Sequence, residues 1–354
     1  GLSSTTTASV SANPAMTTIY QVIGSTPQGC ADTISVTLTV NPLPAVSVTP
    51  NNPIICQGNS TTLVFSGADS YTVSPLTGLT GFTGTSVNAA PQNTTTYTIT
   101  GTDANGCINT TTALVTIMNL PNIAINPPNP QICINGNIDI TAVGANTYTW
   151  SPATGLSTTS GATVNASPLT STTYTITGTD LFGCTNTYSF NLNVNPLPII
   201  QVNPVLAYTC PGDFVSLVAG GALNYVWSPS TGLNQTLGSQ VLSNPPSPIT
   251  YTVVGTDVNG CVDSTTVSVD FYDVPTASFT VDKTESCPPL QVNLTSTSST
   301  NFACNWTLGD GNFSTDCNTS YSYTAPGEYS VYLMVTDSNG CRHISSPQTL
   351  KVYA

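Results

Sequence analysis

The most constraining feature of this sequence is a repeat with a period of 77 residues. Two sets of cysteines and one set of prolines recur at this interval: Cys30, Cys107, Cys184 and Cys261; Cys56, Cys133, Cys210 and Cys287; Pro44, Pro121, Pro198 and Pro275. A near-identical phrase of the form TYT[IV]xGTDxxGC ends at Cys107, at Cys184 and at Cys261. A period of this length predicts a tandem array of small domains.

The spacing of apolar residues within the repeat predicts β-strands. Val, Ile, Leu, Tyr and Phe alternate with Thr and Ser, which is the pattern of strands with one buried face, and we find no helical periodicity. Turn residues such as Gly, Pro and Asn separate the alternating stretches. We therefore predict that the chain is all-β and that each copy is a β-sandwich of about seven short strands.

The period also predicts the domain boundaries. Three complete copies span residues 45–121, 122–198 and 199–275, and a final domain of different sequence spans residues 276–354. Residues 1–44 correspond to the second half of a copy only, because Gly1-Leu2 aligns with Gly78-Leu79. We expect the chain to be a piece of a longer protein.

Three tryptophans are predicted core residues. The segments YTVSP, YTWSP and YVWSP place Val73, Trp150 and Trp227 at one equivalent position, where an indole would fill the gap between two sheets. Trp306 has the corresponding role in the final domain.

The repeated phrase itself is predicted to be a core strand followed by a turn. Its aspartate is typical of an Asx-type turn, which we favour over a calcium ligand. The residues concerned are Asp103, Asp180, Asp257 and Asp337. Calcium is the one cofactor considered, and no other cofactor is expected. Against calcium, one aspartate per copy falls short of the six to eight oxygens that this ion binds.

The copies resemble the Ig-like repeats of giant surface proteins of Bacteroidota in the marks C-x-G, Y-x-W-S-P, T-G-L and T-Y-T-[IV]-x-G-T-D-x-x-G-C. Residues 276–354 resemble a PKD domain: Trp306-Thr-Leu-Gly-Asp-Gly311 is similar to W-D-F-G-D-G, and residues 323–337 match Y-T-x-P-G-x-Y-x-V-x-L-x-V-x-D. Val73 departs from the usual tryptophan, and Leu308 from the usual phenylalanine.

The resemblance implies an array of Ig-like β-sandwich domains ending in a PKD-type β-sandwich. It also implies a type IX secreted adhesin, gliding component or surface appendage, located outside the cell at the bacterial surface.

The composition excludes several function classes. Lys283, Arg342 and Lys351 stand against 16 acidic residues, and the net charge of -13 makes nucleic acid an improbable partner. No stretch reaches the roughly 18 consecutive apolar residues of a membrane span, so no membrane insertion is expected. Eleven cysteines without metal-type spacing indicate a disulfide framework and an oxidising, extracellular setting.

The pairing of the cysteines has two solutions, within domains or between neighbouring domains. In a sandwich of this type the last strand would hold the two cysteines of one domain on the order of 25 Å apart, whereas a disulfide needs Cα atoms within roughly 7 Å. We favour the interdomain bridges, and bent strand ends leave the intradomain set open. The favoured pairs are Cys56 with Cys184, Cys133 with Cys261, and Cys210 with Cys341.

The remaining cysteines fall into two groups. Cys304 and Cys317 flank the hairpin WTLGDGNFST, which predicts a bridge inside the last domain. Cys30 and Cys107 are expected to have partners upstream and Cys287 a partner downstream.

The sequence offers no catalytic constellation. His343 is the one histidine and is predicted to be a surface residue of the final strand, and Asp310 with Asp316 is interpreted as a pair of turn residues. We therefore expect no enzymatic activity.

Two functions are considered in detail, and a third is less favoured. The favoured one is a structural stalk segment, a rigid disulfide-braced rod that contacts further repeats of the same chain and packs laterally into a homo-oligomer. The alternative is an adhesin that binds a glycan or a protein on a cell surface. An accessory module of a secreted hydrolase is the third.

Overall fold

A computed structural model of the chain describes residues 1–298 and 302–354. Those residues form 33 β-strands, and none of them lies in a helix. The all-β prediction is therefore confirmed. Within the same residues, no helix has the length and apolar character needed to cross a membrane.

The chain divides into two compact units. The first contains Gly1–Pro130, Asp139–Ala166 and Thr173–Asn191, and the second contains Gln131–Ile138, Ser167–Thr172 and Leu192–Ala354. The predicted domain 122–198 contributes residues to both units. The boundaries that the 77-residue period gives at 44, 121, 198 and 275 stay predictions.

Residues 1–44 contain one antiparallel pair of strands, β1 (Thr18–Ser25) and β2 (Ala31–Leu38). A bridge between Leu2 and Ala12 matches the pairing of Leu79 with Ala89 in the next copy. The partial copy thus has the local pairing of the corresponding half of a complete one.

The copy 45–121 is a sandwich of two four-stranded sheets with the orders β3-β5-β8-β7 and β4-β10-β9-β6. Its strands are β3 (Ser47–Thr49), β4 (Ile54–Cys56), β5 (Thr61–Ser66), β6 (Ser70–Ser74), β7 (Leu79–Thr80), β8 (Ser86–Ala89), β9 (Thr95–Thr102) and β10 (Ile108–Met118).

The copy 122–198 has sheets of three and four strands with the orders β11-β13-β15 and β12-β17-β16-β14. Its strands are β11 (Ala124–Asn126), β12 (Gln131–Cys133), β13 (Ile138–Val143), β14 (Thr147–Ser151), β15 (Thr163–Ala166), β16 (Thr172–Thr179) and β17 (Thr185–Asn195).

The copy 199–275 has the same arrangement, with the orders β18-β20-β22 and β19-β24-β23-β21. Its strands are β18 (Gln201–Asn203), β19 (Leu206–Thr209), β20 (Val215–Gly220), β21 (Asn224–Ser228), β22 (Gln240–Ser243), β23 (Ile249–Thr256) and β24 (Val262–Phe271).

The last domain pairs a three-stranded sheet, β25-β27-β30, with a six-stranded sheet in which β26-β33-β31-β28-β29 are joined by β32 on β31. Its strands are β25 (Phe279–Val281), β26 (Glu285–Ser286), β27 (Leu290–Ser296), β28 (Phe302–Thr307), β29 (Phe313–Ser314), β30 (Asn318–Tyr323), β31 (Gly327–Asp337), β32 (Arg342–Ile344) and β33 (Gln348–Val352).

The predicted tryptophans lie in the cores of these sandwiches. Trp150, Trp227 and Trp306 are all buried. Each indole also has a polar partner, because its Nε1–H donates to the carbonyl oxygen of Gly161, Gly238 or Asp316 at 2.9 Å. The buried ring therefore fills the core without leaving an unpaired donor.

The repeated phrase is a piece of scaffold, and its tyrosine, glycines and aspartate each have a structural role. Its tyrosine is fully buried, and the hydroxyl of Tyr97 donates to the carbonyl oxygen of Thr77 at 2.6 Å, as Tyr174 and Tyr251 do to their equivalents. Its first glycine allows a close approach: a Cβ on Gly178 would lie 2.8 Å from the side chains of both Ala145 and Ile123.

The aspartate of the phrase closes the turn that carries the cysteine. In the third copy of the phrase along the chain, Asp257 Oδ1 accepts the backbone N–H groups of Asn259 and Cys261, each at 2.8 Å. Asp103, Asp180 and Asp337 make the same pair of bonds at 2.8–2.9 Å. The second glycine, Gly260, has a φ of 82°, a left-handed conformation that glycine adopts without strain.

We expect Gly178→Ala to lower the free energy of unfolding by about 1–3 kcal/mol, because its methyl group would overpack the contact with Ala145 and Ile123. Gly24→Ala is a matched control, since Gly24 holds the same position in the partial copy and a Cβ there meets nothing within 4 Å. Guanidinium unfolding followed by tryptophan fluorescence measures both. Equal midpoints for the two variants would contradict the role assigned to Gly178.

We expect Asp180→Ala to destabilise its turn by about 1–2 kcal/mol, because the N–H groups of Phe182 and Cys184 lose their acceptor. Asp180→Asn keeps an oxygen at the same position and should retain most of the stability. The same denaturant titration distinguishes them, and an alanine variant as stable as the asparagine variant would count against the hydrogen bonds.

Candidate functional site

The candidate functional sites are the points where cystines join neighbouring domains. The structure brings together all four cysteine pairs that the sequence analysis favoured. The Cα–Cα distances are 5.5 Å for Cys56–Cys184, 5.5 Å for Cys133–Cys261, 5.3 Å for Cys210–Cys341 and 5.1 Å for Cys304–Cys317. The first three join different copies, and the fourth lies within the last domain.

The strand pairing explains why a copy does not close this bond within itself. Cys56 lies beside Met118, at the far end of β10, whereas Cys107 immediately precedes Ile108 at its near end. The eleven residues of β10 rise about 3.3 Å each, which separates its first residue from its last by about 33 Å. Cys133 pairs with Asn195 at the end of β17 in the same way.

The second cysteine of each junction is shielded from solvent. Cys184, Cys261 and Cys341 are 1%, 0% and 0% exposed, and the aspartate turn holds the backbone of each one. Their partners Cys56 and Cys133 are partly buried, and Cys210 is buried. A reductant therefore reaches these bonds poorly in the folded chain.

A hydrogen bond between an asparagine and the linker proline also occurs at the junctions, and the sequence analysis missed it. Asn109 donates from Nδ2 to the carbonyl oxygen of Pro44 at 2.9 Å, and Asn186 donates to that of Pro121 at 3.0 Å. Each asparagine lies two residues after the cysteine of the phrase, so a Cys-x-Asn spacing was the available signal. The linker that enters each of these copies is thereby bound to the domain that follows it.

The last junction uses a different side chain at the same spacing. His343 accepts the backbone N–H of Ala277 at Nδ1, at a distance of 2.9 Å. His343 is exposed as predicted, but its placement on the final strand is wrong, because it lies on β32 and β33 follows. Asp263 occupies this position in the copy 199–275 and accepts the N–H of Ser264 instead, since a carboxylate has no hydrogen to donate.

The linker prolines are part of the folded structure. Pro44, Pro121 and Pro198 are buried, and Pro275 is partly buried. A proline also fixes its own φ. These segments therefore differ from flexible tethers, whose backbone is free and solvated.

The aspartates considered for calcium are turn residues in the structure. Asp103, Asp180, Asp257 and Asp337 each direct Oδ1 at two backbone N–H groups. Across residues 1–298 and 302–354, no group of three or more His, Cys, Asp or Glu side chains is placed to hold a metal ion.

Asp310 and Asp316 also have structural roles. Asp310 accepts the hydroxyl hydrogen of Tyr321 at 2.7 Å and the N–H of Asn312 at 3.1 Å. Burial raises the pKa of the Asp310 carboxyl, but these hydrogen bonds outweigh burial and leave the pKa below its usual value. Asp316 takes part through its backbone oxygen, which accepts from the indole of Trp306.

Three cysteines have no disulfide partner in the described part of the chain. Cys30 and Cys287 are exposed, and Cys107 is partly buried. The expected pairing of Cys30 and Cys107 with cysteines upstream, and of Cys287 with a cysteine downstream, stays a prediction.

Comparison with known proteins identifies one domain. Residues 272–352 match the family model of the PKD domain. No curated protein matches the chain. The PKD1 domain from the Vibrio cholerae metalloprotease PrtV is 35% identical over 23% of this chain and 100% of that chain, with a TM-score of 0.20.

Two multidomain ectodomains align with most of the chain. A fragment of the ICAM-5 ectodomain is 11% identical over 87% of this chain and 99% of that chain, with a TM-score of 0.31. The human desmocollin-1 ectodomain is 12% identical over 94% and 85%, with a TM-score of 0.22. The fold assignment rests on the strand pairing, which gives tandem Ig-like β-sandwiches, and the family-model match identifies residues 272–352 as a PKD domain.

Proposed function

We propose that this chain is a structural stalk segment of a large secreted surface protein, in which cystines between neighbouring domains resist bending and extension. Extracellular Ig-like and PKD-type repeats with four disulfides fit a structural or adhesive role. The resemblance to Bacteroidota repeats supports type IX secretion and a bacterial cell surface. Further repeats of the same chain and lateral packing into a homo-oligomer belong to the same proposal.

The observation that carries the proposal is the overlap of the three interdomain disulfide loops. The two cysteines are 128 positions apart in sequence in Cys56–Cys184 and in Cys133–Cys261, and 131 positions apart in Cys210–Cys341. Each loop begins inside the preceding one. A pulling force applied to the chain ends therefore passes from Cys56 to Cys184, and from Cys210 to Cys341, through sulfur.

Two of these disulfides, Cys56–Cys184 and Cys210–Cys341, shorten the covalent path that bears the load. Only residues 1–56, 184–210 and 341–354 lie on the shortest path between the chain ends. These segments amount to about 95 residues and extend to about 330 Å, whereas the whole chain without disulfides extends to about 1,200 Å. Enclosed strands are shielded from the load even when the domains unfold.

An adhesin that binds glycan or protein is the second candidate. It fits the same extracellular domains, and it requires a site that one copy has and the others lack. The two functions are compatible, since a stalk can carry such a site on one domain.

Disulfide mapping tests the pairing on which the stalk depends. The chain has no Lys or Arg before Lys283, so we choose cleavage before aspartate. We expect one non-reduced species to contain residues 32–68, 180–212 and 337–354, and another to contain 103–138 and 257–262. A species joining residues 32–68 to 103–138 through Cys56 and Cys107 would refute the interdomain bridges.

Single-molecule extension tests the mechanical role. We expect the oxidised chain, held at its two ends, to reach about 330 Å at full unfolding, against about 500 Å for bridges within each domain. Cys56→Ser with Cys184→Ser should raise this limit to about 670 Å, because the shortest path then runs from residue 1 to Cys133, back from Cys261 to Cys210, and from Cys341 to the end. Cys304→Ser with Cys317→Ser is the control and should leave it unchanged, because that pair lies off the path.

A further inference from the structure

The copy 45–121 differs from the next two at the position of the core tryptophan. Val73 occupies the place of Trp150 and Trp227. In those two copies the indole is buried and its Nε1–H is bonded to a loop carbonyl at 2.9 Å. The copy 45–121 has no side chain of that size on β6.

The missing volume is only partly replaced. Phe65 is buried where the other copies have Ala142 and Ala219, so one aromatic ring has moved to β5. A cavity of about 440 Å³ remains open beside β6. Its apolar lining consists of Tyr71, Val73, Leu76, Leu79, Phe82 and Val87.

The edge of β6 next to this cavity is also left open. In the copy 122–198 the loop runs along the edge of β14: Thr149 is bridged to Ser160, and the N–H of Trp150 donates to Thr159 at 2.8 Å. The copy 199–275 has the equivalent bridge and bond. In the copy 45–121, Thr83 is bonded to Ser86 instead, and no hydrogen bond joins residues 81–85 to β6 within the described chain.

The loop above the cavity presents apolar side chains to solvent. Leu76 is 76% exposed and Phe82 is 52% exposed, and the lining includes no charged residue. The other copies have Ala153 and Ser230 in place of Leu76, and Thr159 and Thr236 in place of Phe82. Large apolar side chains therefore occupy both of these loop positions in the copy 45–121 and neither of them in the next two copies.

We propose that the copy 45–121 binds an uncharged aromatic ring of about indole size in this cavity. In the copies 122–198 and 199–275 the equivalent space is filled by an indole, and an extended segment of the loop lies along the adjacent strand edge. The volume falls within the roughly 300–1,000 Å³ of ligand pockets. The N–H of Val73 and the carbonyl of Tyr71 correspond to the Trp150 N–H and the Tyr148 carbonyl, which bind the loop in the copy 122–198. We expect them to bind the backbone of a peptide that carries the ring.

The proposal is separate from the stalk function. It concerns one copy, and it holds whether or not the interdomain disulfides bear load. An aromatic ring can be supplied as a free small molecule or as a tryptophan side chain, and the two sources share the chemistry that the cavity recognises.

Ligand-observed saturation-transfer NMR on the full oxidised chain, followed by calorimetric titration, tests the site. We expect indole to bind with a Kd of about 0.1–1 mM. The second probe is the blocked tripeptide acetyl-Thr-Trp-Thr-amide. Tenfold tighter binding of the tripeptide would assign the site to a peptide partner, and equal or weaker binding would assign it to a free aromatic molecule.

The matched variant copies the neighbouring domains. Phe65→Ala with Val73→Trp restores their residue pair, fills the cavity and should weaken indole binding at least tenfold. Phe82→Thr copies their loop residue and should weaken it about threefold to tenfold. Leu181→Asp, at an exposed turn residue in the copy 122–198, should have no effect.

Two results would overturn the proposal: neither probe saturates the wild-type chain below 5 mM, a limit about fivefold above the weakest Kd expected, or binding survives in the filled variant. If the double variant does not fold, Leu76→Asp decides, because this side chain is exposed at the rim and its substitution should leave the circular dichroism unchanged. Unaltered binding in Leu76→Asp would then count against the site.

Discussion

The length of the last strand in each copy is the constraint on which the rest of the structure depends. β10 and β17 have eleven residues each, and the two cysteines of a copy lie at opposite ends of such a strand. A strand cannot shorten without losing its ladder, so those cysteines cannot meet. Their disulfide partners lie in neighbouring copies, so the strand length within one sandwich determines how the copies are cross-linked.

The repeated phrase links this constraint to local chemistry. Its tyrosine anchors the strand in the core, its glycine admits a neighbouring side chain, and its aspartate fixes the turn. The cysteine that follows is consequently presented in one orientation. A residue pattern that resembles a binding motif is explained by the demands of packing and of a single covalent bond.

Much of this could be read from the sequence, for identifiable reasons. The strands were predicted from the alternation of apolar and polar residues, and the copies from the period of 77. The rise of a strand favoured the interdomain cystines but left the intradomain pairs open. The bond between His343 and Ala277 could not be predicted, because Asn109 and Asn186 donate a hydrogen bond at this position whereas His343 accepts one. The cavity beside Val73 depends on how far Phe65 compensates, which only the packed core decides.

The overlapping loops have a consequence for damage. A single backbone cut by a protease anywhere between Cys56 and Cys341 leaves the two chain ends covalently joined, because at least one disulfide always spans the break. Even a cut between Cys184 and Cys210 is bypassed by Cys133–Cys261. The two ends of a chain cross-linked in this way separate only after several independent backbone cleavages. Its lifetime outside the cell is therefore set by repeated proteolysis rather than by the first cleavage.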